Sequence, residues 1–430
     1  MRPAGILTPA LLLAAGSACG ERPAASADPP AKPAAAFPTF KTQEIDAGLS
    51  IGYAVLAADI SGDKMPDIVV VDQHKVVWYE NPGRDPGTAA WKKRVILDGK
   101  TKPDNVCAAA LDIDGDGRLD LVVGAGWKPF DTANAGTLQW LGRGKTLDDE
   151  WTLHPIPCDE PMVHRVRAAD LDGDGRPEIV MAPLMGRDAT AKGNWLDGRP
   201  VRILAYTVPK NDKVLGWKVR VVSEDLHVVH NITSATMDEV VGVKPYDYIH
   251  AASYEGLTDI TPGKKPESRR IGAGDQANPS GSRGASELAM GRGVLAAIEP
   301  WHGNQVVEYD YHNSDRPYTR SVIDDHLRWG HAIKTADLDG DRWDEIVVGV
   351  RDDPNPKAGD TFAERRGVRL YRNVAGDKIR EKKWERMLLD EGGVAVEDLT
   401  VADLDGDGRP DIVAVGRATK NVRIYWNQRK

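Results

Sequence analysis

The chain has 430 residues, of which 28% are charged and 41% hydrophobic, and a formal net charge of -9, enough apolar material for one large domain or two ordinary ones. The acidic balance and the lack of any basic cluster exclude nucleic acid as an expected partner. No apolar run beyond the first residues approaches the roughly 20 residues that a membrane span needs.

The start, MRPAGILTPALLLAAGSACG, sets Arg2 before an apolar run from Ile6 to Ala15 and small residues ahead of Cys19, the layout of a secretory signal. Residues 1–19 are therefore read as a signal peptide, with Cys19 either lipidated or left after cleavage behind Ala18. The box is imperfect, because Gly16 stands where lipoproteins usually carry leucine. The expected location is outside the cytoplasm, as an outer-membrane or cell-surface lipoprotein or in the periplasm, with membrane contact only through a lipid anchor. Residues 20–38 are too rich in Ala and Pro to bury a core and read as a tether. Cys107 and Cys158 remain, either as a disulfide or as two buried thiols.

From residue 39 onward one unit repeats. DISGDKMPDIV at 59 recurs as DIDGDGRLDLV at 112, DLDGDGRPEIV at 170, DLDGDRWDEIV at 337 and DLDGDGRPDIV at 403. The long gap holds two eroded copies: HNITSATMDEVV at 230 aligns on HRVRAADLDGDG at 164, and 284–309 aligns on the last copy. Ahead of the loops lies an aromatic followed by alternating apolar positions, as in FKTQEI at 40, WKKRVI at 91, WTLHPI at 151 and WERMLL at 384. Each unit of about 50 residues thus offers four short strands, the pattern of a β-propeller blade. The predicted fold is all-β: residues 39–430 form a seven-bladed β-propeller with calcium loops between strands 1 and 2 of several blades. FKTQEI, a strand with no unit before it, is expected to complete the last blade and close the ring.

In Asp112-x-Asp114-x-Asp116-Gly117-x-x-Asp120, alternating oxygen ligands, a turn glycine and a closing acid suit Ca²⁺, with the Arg118 carbonyl adding a ligand. The same pattern gives Asp170, Asp172, Asp174, Arg176 and Glu178, then Asp337, Asp339, Asp341 and Glu345, then Asp403, Asp405, Asp407, Arg409 and Asp411. About four structural Ca²⁺ sites are expected. The first copy keeps Asp59, Asp63 and Asp67 but has Lys64 for the glycine, and Arg342 makes the same exchange in the fourth. Val123, Met181, Val348 and Ala414 stand where an EF-hand needs glutamate, which excludes that motif.

The strand before each acidic loop should line the channel, so the residue six positions ahead of the loop lies about 20 Å away, near the other mouth. That register holds Tyr53, Val106, His164, His230, His331 and Glu397. The longest insertions, at 126–136, 184–200 and 352–367, open at this mouth, as does EPWHG with His302; Tyr248 and His250 are expected to approach it from blade four. Glu287, behind a Gly-rich segment, is a further candidate acid or ligand. His164, His230, His302, His331, Glu287 and Glu397 are thus the expected catalytic cluster, with Tyr248 and His250 beside it. Neutral imidazoles with an open position could hold Zn²⁺ or another divalent transition metal.

The acidic loops resemble FG-GAP or VCBS repeats of β-propellers, a family that includes adhesion modules, lectin-like binders and lyases. HR before DLDGDGRPEIV, then HVVHN, GASE and EPWHGNQVVEY, resemble the propeller part of the aldos-2-ulose dehydratases. That resemblance implies a metal-assisted dehydratase eliminating water from a keto sugar such as 1,5-anhydrofructose. It also implies dehydration without isomerisation, since the cupin-like region of those enzymes has no counterpart in these residues. A propeller lipoprotein that binds a glycan or protein, and a polysaccharide lyase with an open cleft of Arg and Lys, are the competing readings. In each the ligand at the mouth is a small molecule or glycan, and a monomer is expected.

Overall fold

The computed structural model of the chain describes residues 37–83, 87–210, 216–237, 244–311, 316–351, 366–375 and 382–428. Residues 1–36, on which the expected export signal, Cys19 and nearly all of the expected tether fall, and the insertion at 352–365 lie outside the described residues. All the strands belong to one unit, residues 34–430.

Second strands such as Asp67–Asp72 (DIVVVD) and Glu345–Val350 (EIVVGV) are buried at every position. Each is hydrogen-bonded on both edges and covered on both faces, so a continuous β-branched run replaces the alternation of a half-exposed strand. The outermost strands differ. Lys92–Asp98 leaves Lys92 and Lys93 exposed and buries Ile96 and Leu97.

The strands form seven four-stranded antiparallel sheets. Their first strands are Gly52–Ala58, Cys107–Leu111, Val163–Ala169, Asn231–Met237, Glu287–Gly291, Gly330–Ala336 and Val396–Ala402. Each touches the next, and the last touches the first. The sheets are therefore blades one to seven of a propeller, with these inner strands around the channel. The core lies in the wedges between blades: Val70 and Tyr79 of blade one pack with Val413 and Trp426 of blade seven, and Ile333 of blade six with Ile298 of blade five. Full burial of each such side chain is worth about 1.5–3 kcal/mol.

The N-terminal strand Phe40–Asp46 pairs antiparallel with Val422–Asn427, Thr42 opposite Tyr425. It supplies the fourth strand of blade seven. Trp426 Nε1 donates to Gln43 Oε1 at 2.9 Å, and Arg423 Nε to Glu44 Oε2 at 3.0 Å.

The acidic loops join the first and second strands of blades one, two, three, six and seven. Gly117, Gly175 and Gly408 adopt φ of 84°, 83° and 82° at the same loop position, and Lys64 and Arg342 follow at 75° and 81° despite the cost of a Cβ there. The two exceptions keep the loop's shape. The closing acid serves the fold directly. Asp120, Glu178, Glu345 and Asp411 each accept the N–H of the second loop residue, at 2.8–3.1 Å, and Asp67 accepts that of the third, Ser61, at 2.7 Å. Asp67, Asp120 and Asp411 also accept an N–H from Asn81, Arg143 and Asn427, each at 2.8 Å. These carboxylates staple the loop to its own sheet. Cys107 and Cys158 are free thiols, which removes the disulfide alternative.

Deleting residues 37–46 should strip blade seven of its outer strand and expose an unpaired edge. The melting temperature is expected to fall by about 10 °C or more, with oligomers on size exclusion. An unchanged melt would mean that the ring closes without this strand.

Candidate functional site

At the mouth opposite the acidic loops, one residue in each of several blades is turned into the channel by the same device. In blade three, Val163 pairs with Pro183 and Arg165 with Ala182, so His164 is the extra residue of a β-bulge. The same shift falls at Tyr53 in blade one, His331 in blade six and Glu397 in blade seven. A bulge bends the strand and re-aims one side chain. His230 reaches the channel differently, from just ahead of its inner strand, with its N–H donated to Ala252 O at 3.0 Å. His302 comes from the connection between the second and third strands of blade five, with φ of 51°.

These side chains meet at the base of a cavity of about 490 Å³, within the range of small-molecule sites. Candidate ligand atoms of His230, His302 and His331 all lie within 4.8 Å of one another. His230 Nδ1 donates to Glu287 Oε1 at 2.7 Å, and His331 Nδ1 to the Glu397 carbonyl at 2.6 Å. Both partners are acceptors, so Nδ1 carries the proton and Nε2 is left bare in each ring. His302 Nε2 stands 2.9 Å from His230 Nε2. Such a set fits a divalent transition metal: the Nε2 atoms of His230 and His331 converge with an imidazole nitrogen of His302, and the Nδ1 atoms of the first two are fixed by a carboxylate and a carbonyl.

Burial, followed by the nearby charges of Arg165 or Arg351, holds His230 and His331 well below the usual imidazole range. Burial, then Arg165, does the same to His164. All three are neutral near pH 7. His164 packs against Trp127, with ring centroids 5.0 Å apart, and against His230 at 4.9 Å. Its Nε2 lies 3.1 Å from Arg165 Nη1, while its Nδ1 is buried without a hydrogen-bond partner. Trp301 stacks on His302 at 4.2 Å. Higher in the mouth, Phe130 stacks on Trp195 at 5.2 Å, and Trp329 is exposed.

Glu287 is buried, accepts from His230 and from the Asn231 amide, and faces Arg165 at 3.5 Å. Burial pushes its pKa up to about 7 against the pull of Arg165. Glu397 is bound otherwise: its two oxygens take Arg351 Nη1 at 3.0 Å and Arg417 Nη1 at 2.9 Å. It lies 4.0 Å from His331 Nε2. Its oxygens are engaged as a clamp on two arginines, which corrects the expectation of a free acid or ligand.

Tyr248 and His250 require a second correction. They belong to Tyr246–Ser253, the second strand of blade four, paired on both edges. His250 Nδ1 donates to Asp259 Oδ1 at 2.7 Å, and neither residue lines the cavity. A strand paired on both edges aims its side chains at neighbouring blades, away from the channel.

Arg165, Arg351, Arg417, Trp127 and Trp301 line the cavity and were not among the expected residues. For two of them a signal was present: Arg351 and Arg417 each stand six residues after the closing acid, in EIVVGVR and DIVAVGR. The Gly-rich segment reaches the mouth through Ser282. Asn194 Nδ2 donates to the carbonyls of Pro279 and Gly281, at 3.2 and 3.1 Å, and ties that segment to the insertion of blade three.

On the opposite face, carboxylate oxygens of Asp112, Asp114 and Asp116 lie within 4.8 Å of one another, as do those of Asp170, Asp172 and Glu178, and of Asp337, Asp339 and Glu345. Their spacing fits a hard cation. Asp120 is absent from the first group, both its oxygens being held by backbone N–H groups.

Comparison with known proteins agrees with this architecture. FG-GAP-like repeats match residues 59–123 and 337–414, and an FG-GAP repeat matches 108–139. The beta-propeller domain of aldos-2-ulose dehydratase matches residues 135–312, a segment that holds His164, His230, Glu287 and His302. Aldos-2-ulose dehydratase of Phanerodontia chrysosporium is 25% identical over 288 residues, 61% of this chain and 30% of that protein. The chain thus matches about a third of the length of this curated relative. Among solved structures, BBS1N in complex with ARL6DN, soaked with lead, superposes with a TM-score of 0.51 at 11% identity, over 91% of this chain and 97% of that one. That is a likeness of fold alone.

Proposed function

We propose that this propeller is an exported carbohydrate lyase, a metal-assisted dehydratase that removes water from a keto sugar of the 1,5-anhydrofructose or aldos-2-ulose class. The observation that carries the reading is the convergence of His230, His302 and His331 beneath a small aromatic-walled cavity. The distant relationship to the aldos-2-ulose dehydratase propeller supports it.

A divalent transition metal at the three imidazoles would supply Lewis-acid polarisation of the substrate carbonyl and acidify the neighbouring C–H. Glu287 and the Glu397 carbonyl orient His230 and His331 as ligands. His164 is the base: it is neutral, buried and in ring contact with His230, and Arg165 donates to its Nε2, which marks that nitrogen as the bare one. The imidazole accepts the proton from carbon, the electron pair forms the C=C bond, and the β-hydroxyl departs as water with the proton handed on from the resulting imidazolium, leaving an enone and the neutral imidazole. The compact cavity favours a single sugar ring over the extended cleft of a polysaccharide lyase.

Incubation with 1,5-anhydrofructose should generate ultraviolet enone absorbance. His164→Ala and His331→Ala should each slow turnover by about 100-fold or more with circular dichroism unchanged. An unchanged rate in both would remove them from the mechanism. Glycan binding with no absorbance change in the unmodified protein would replace the lyase by a binding module.

The acidic loops are proposed as structural Ca²⁺ sites that relieve repulsion among clustered carboxylates. Millimolar calcium should raise the melting temperature, and a chelator should lower it by several degrees. A melt insensitive to both would mean that backbone hydrogen bonds alone hold the loops.

A further inference from the structure

The chain carries a net charge of -9, yet its cavity is basic. Three guanidinium groups, of Arg165, Arg351 and Arg417, reach the lining, and Glu397 is the single carboxylate there. Deeper in the channel lie Arg167 and Lys334, with Glu287 and Asp398 as counter-charges. Positive groups outnumber the carboxylates even if Lys334 sheds its proton. The depression that shares Met162 with the cavity adds Lys102 and Lys128 against Asp131, and the one that shares Arg417 adds Lys420. The clustered aspartates lie in loops at the far end of the inner strands. The disc therefore has an acidic face and a basic mouth, and such a mouth focuses anions.

The arrangement of Arg351 and Arg417 goes beyond general charge. They occupy the same register of blades six and seven, and one carboxylate, Glu397, accepts from Nη1 of each. One glutamate neutralises one guanidinium; the second charge remains. Arg417 is also fixed over the Tyr53 ring, 5.2 Å from its centroid, and Tyr53 is held by Asp104 at 2.7 Å. Each guanidinium has five N–H donors and gives one of them to Glu397 in this pair, which leaves a preorganised fork for a planar anion.

We propose that the substrate is a sugar acid, a single ring or open chain bearing a carboxylate, seated on Arg351 and Arg417 with its carbonyl toward His230, His302 and His331. The inference rests on the reading of this mouth as a sugar site and names the substrate class. Glu397 then acts as a positioning residue that holds both arginines.

The test is titration calorimetry on the full chain at low ionic strength, with 2-keto-gluconate and glucuronate as acidic probes and 1,5-anhydrofructose as the neutral one. Acidic probes should bind at least about ten-fold tighter, weaken with added salt, and lose about 10- to 100-fold on Arg351→Gln or Arg417→Gln. Arg351→Lys, which keeps the charge, should retain part of the preference, separating loss of charge from loss of fold. Acidic probes binding no tighter than the neutral one, or binding that survives both glutamine variants, overturns the proposal. The two readings fail separately. A neutral keto sugar that is dehydrated while acids do not bind leaves the dehydratase standing and removes the sugar acid. Acids that bind through the arginines without forming a double bond keep the sugar acid and remove the dehydratase.

Discussion

Four of the side chains that face the mouth depend on an extra residue near the start of an inner strand. In an ideal antiparallel pair, side chains alternate between the two faces of the sheet, and in a propeller both faces are buried against neighbouring blades. A channel-facing side chain needs a departure from that alternation. The bulges at Tyr53, His164, His331 and Glu397 provide it at one register in four blades. Seven sheets brought around one axis then place residues far apart in sequence within hydrogen-bonding distance.

That convergence is costly in isolation. Four imidazoles, two glutamates and several cationic groups share one largely buried volume, and each buried charge requires a partner. The partners are present and specific: Glu287 for His230 and Asn231, Glu397 for Arg351 and Arg417. Burial penalises the charged imidazolium and holds His230 and His331 below the normal range, so the neutral rings do not repel one another. The buried Nδ1 of His164, left without a partner, is the one conspicuous gap among these groups. Such local cost is tolerated because the blades below are packed with Val, Ile and aromatic side chains along every wedge.

The fold was legible because the unit is repeated. Five copies of an acidic loop, each followed by a β-branched run, specify strand, turn and strand without reference to partners. His164, His230 and His331 were legible for the same reason, as one register read across copies, and His302 followed from its place in an equivalent connection. The bulges were not legible, because a register shift is a property of a pair of strands and leaves no mark in either one alone. Arg351 and Arg417 stood in the sequence at a common offset from the closing acid, but at the end of the second strand, where the histidine register gave no reason to look. Tyr248 and His250 have side chains suited to a site on a strand that faces its neighbours. The closing acids, expected as metal ligands, also hold the loop backbone, a role visible only once the N–H groups of Ser61, Ile113, Leu171, Leu338 and Leu404 are placed.

The proposed chemistry requires that the converging imidazoles hold a metal. Anomalous X-ray diffraction from crystals of the purified protein, collected on both sides of the zinc edge and of neighbouring transition-metal edges, tests it most directly. One strong peak bounded by Nε2 of His230, His302 and His331 is expected. No peak there, or anomalous density confined to the acidic loops, would contradict metal binding at the mouth.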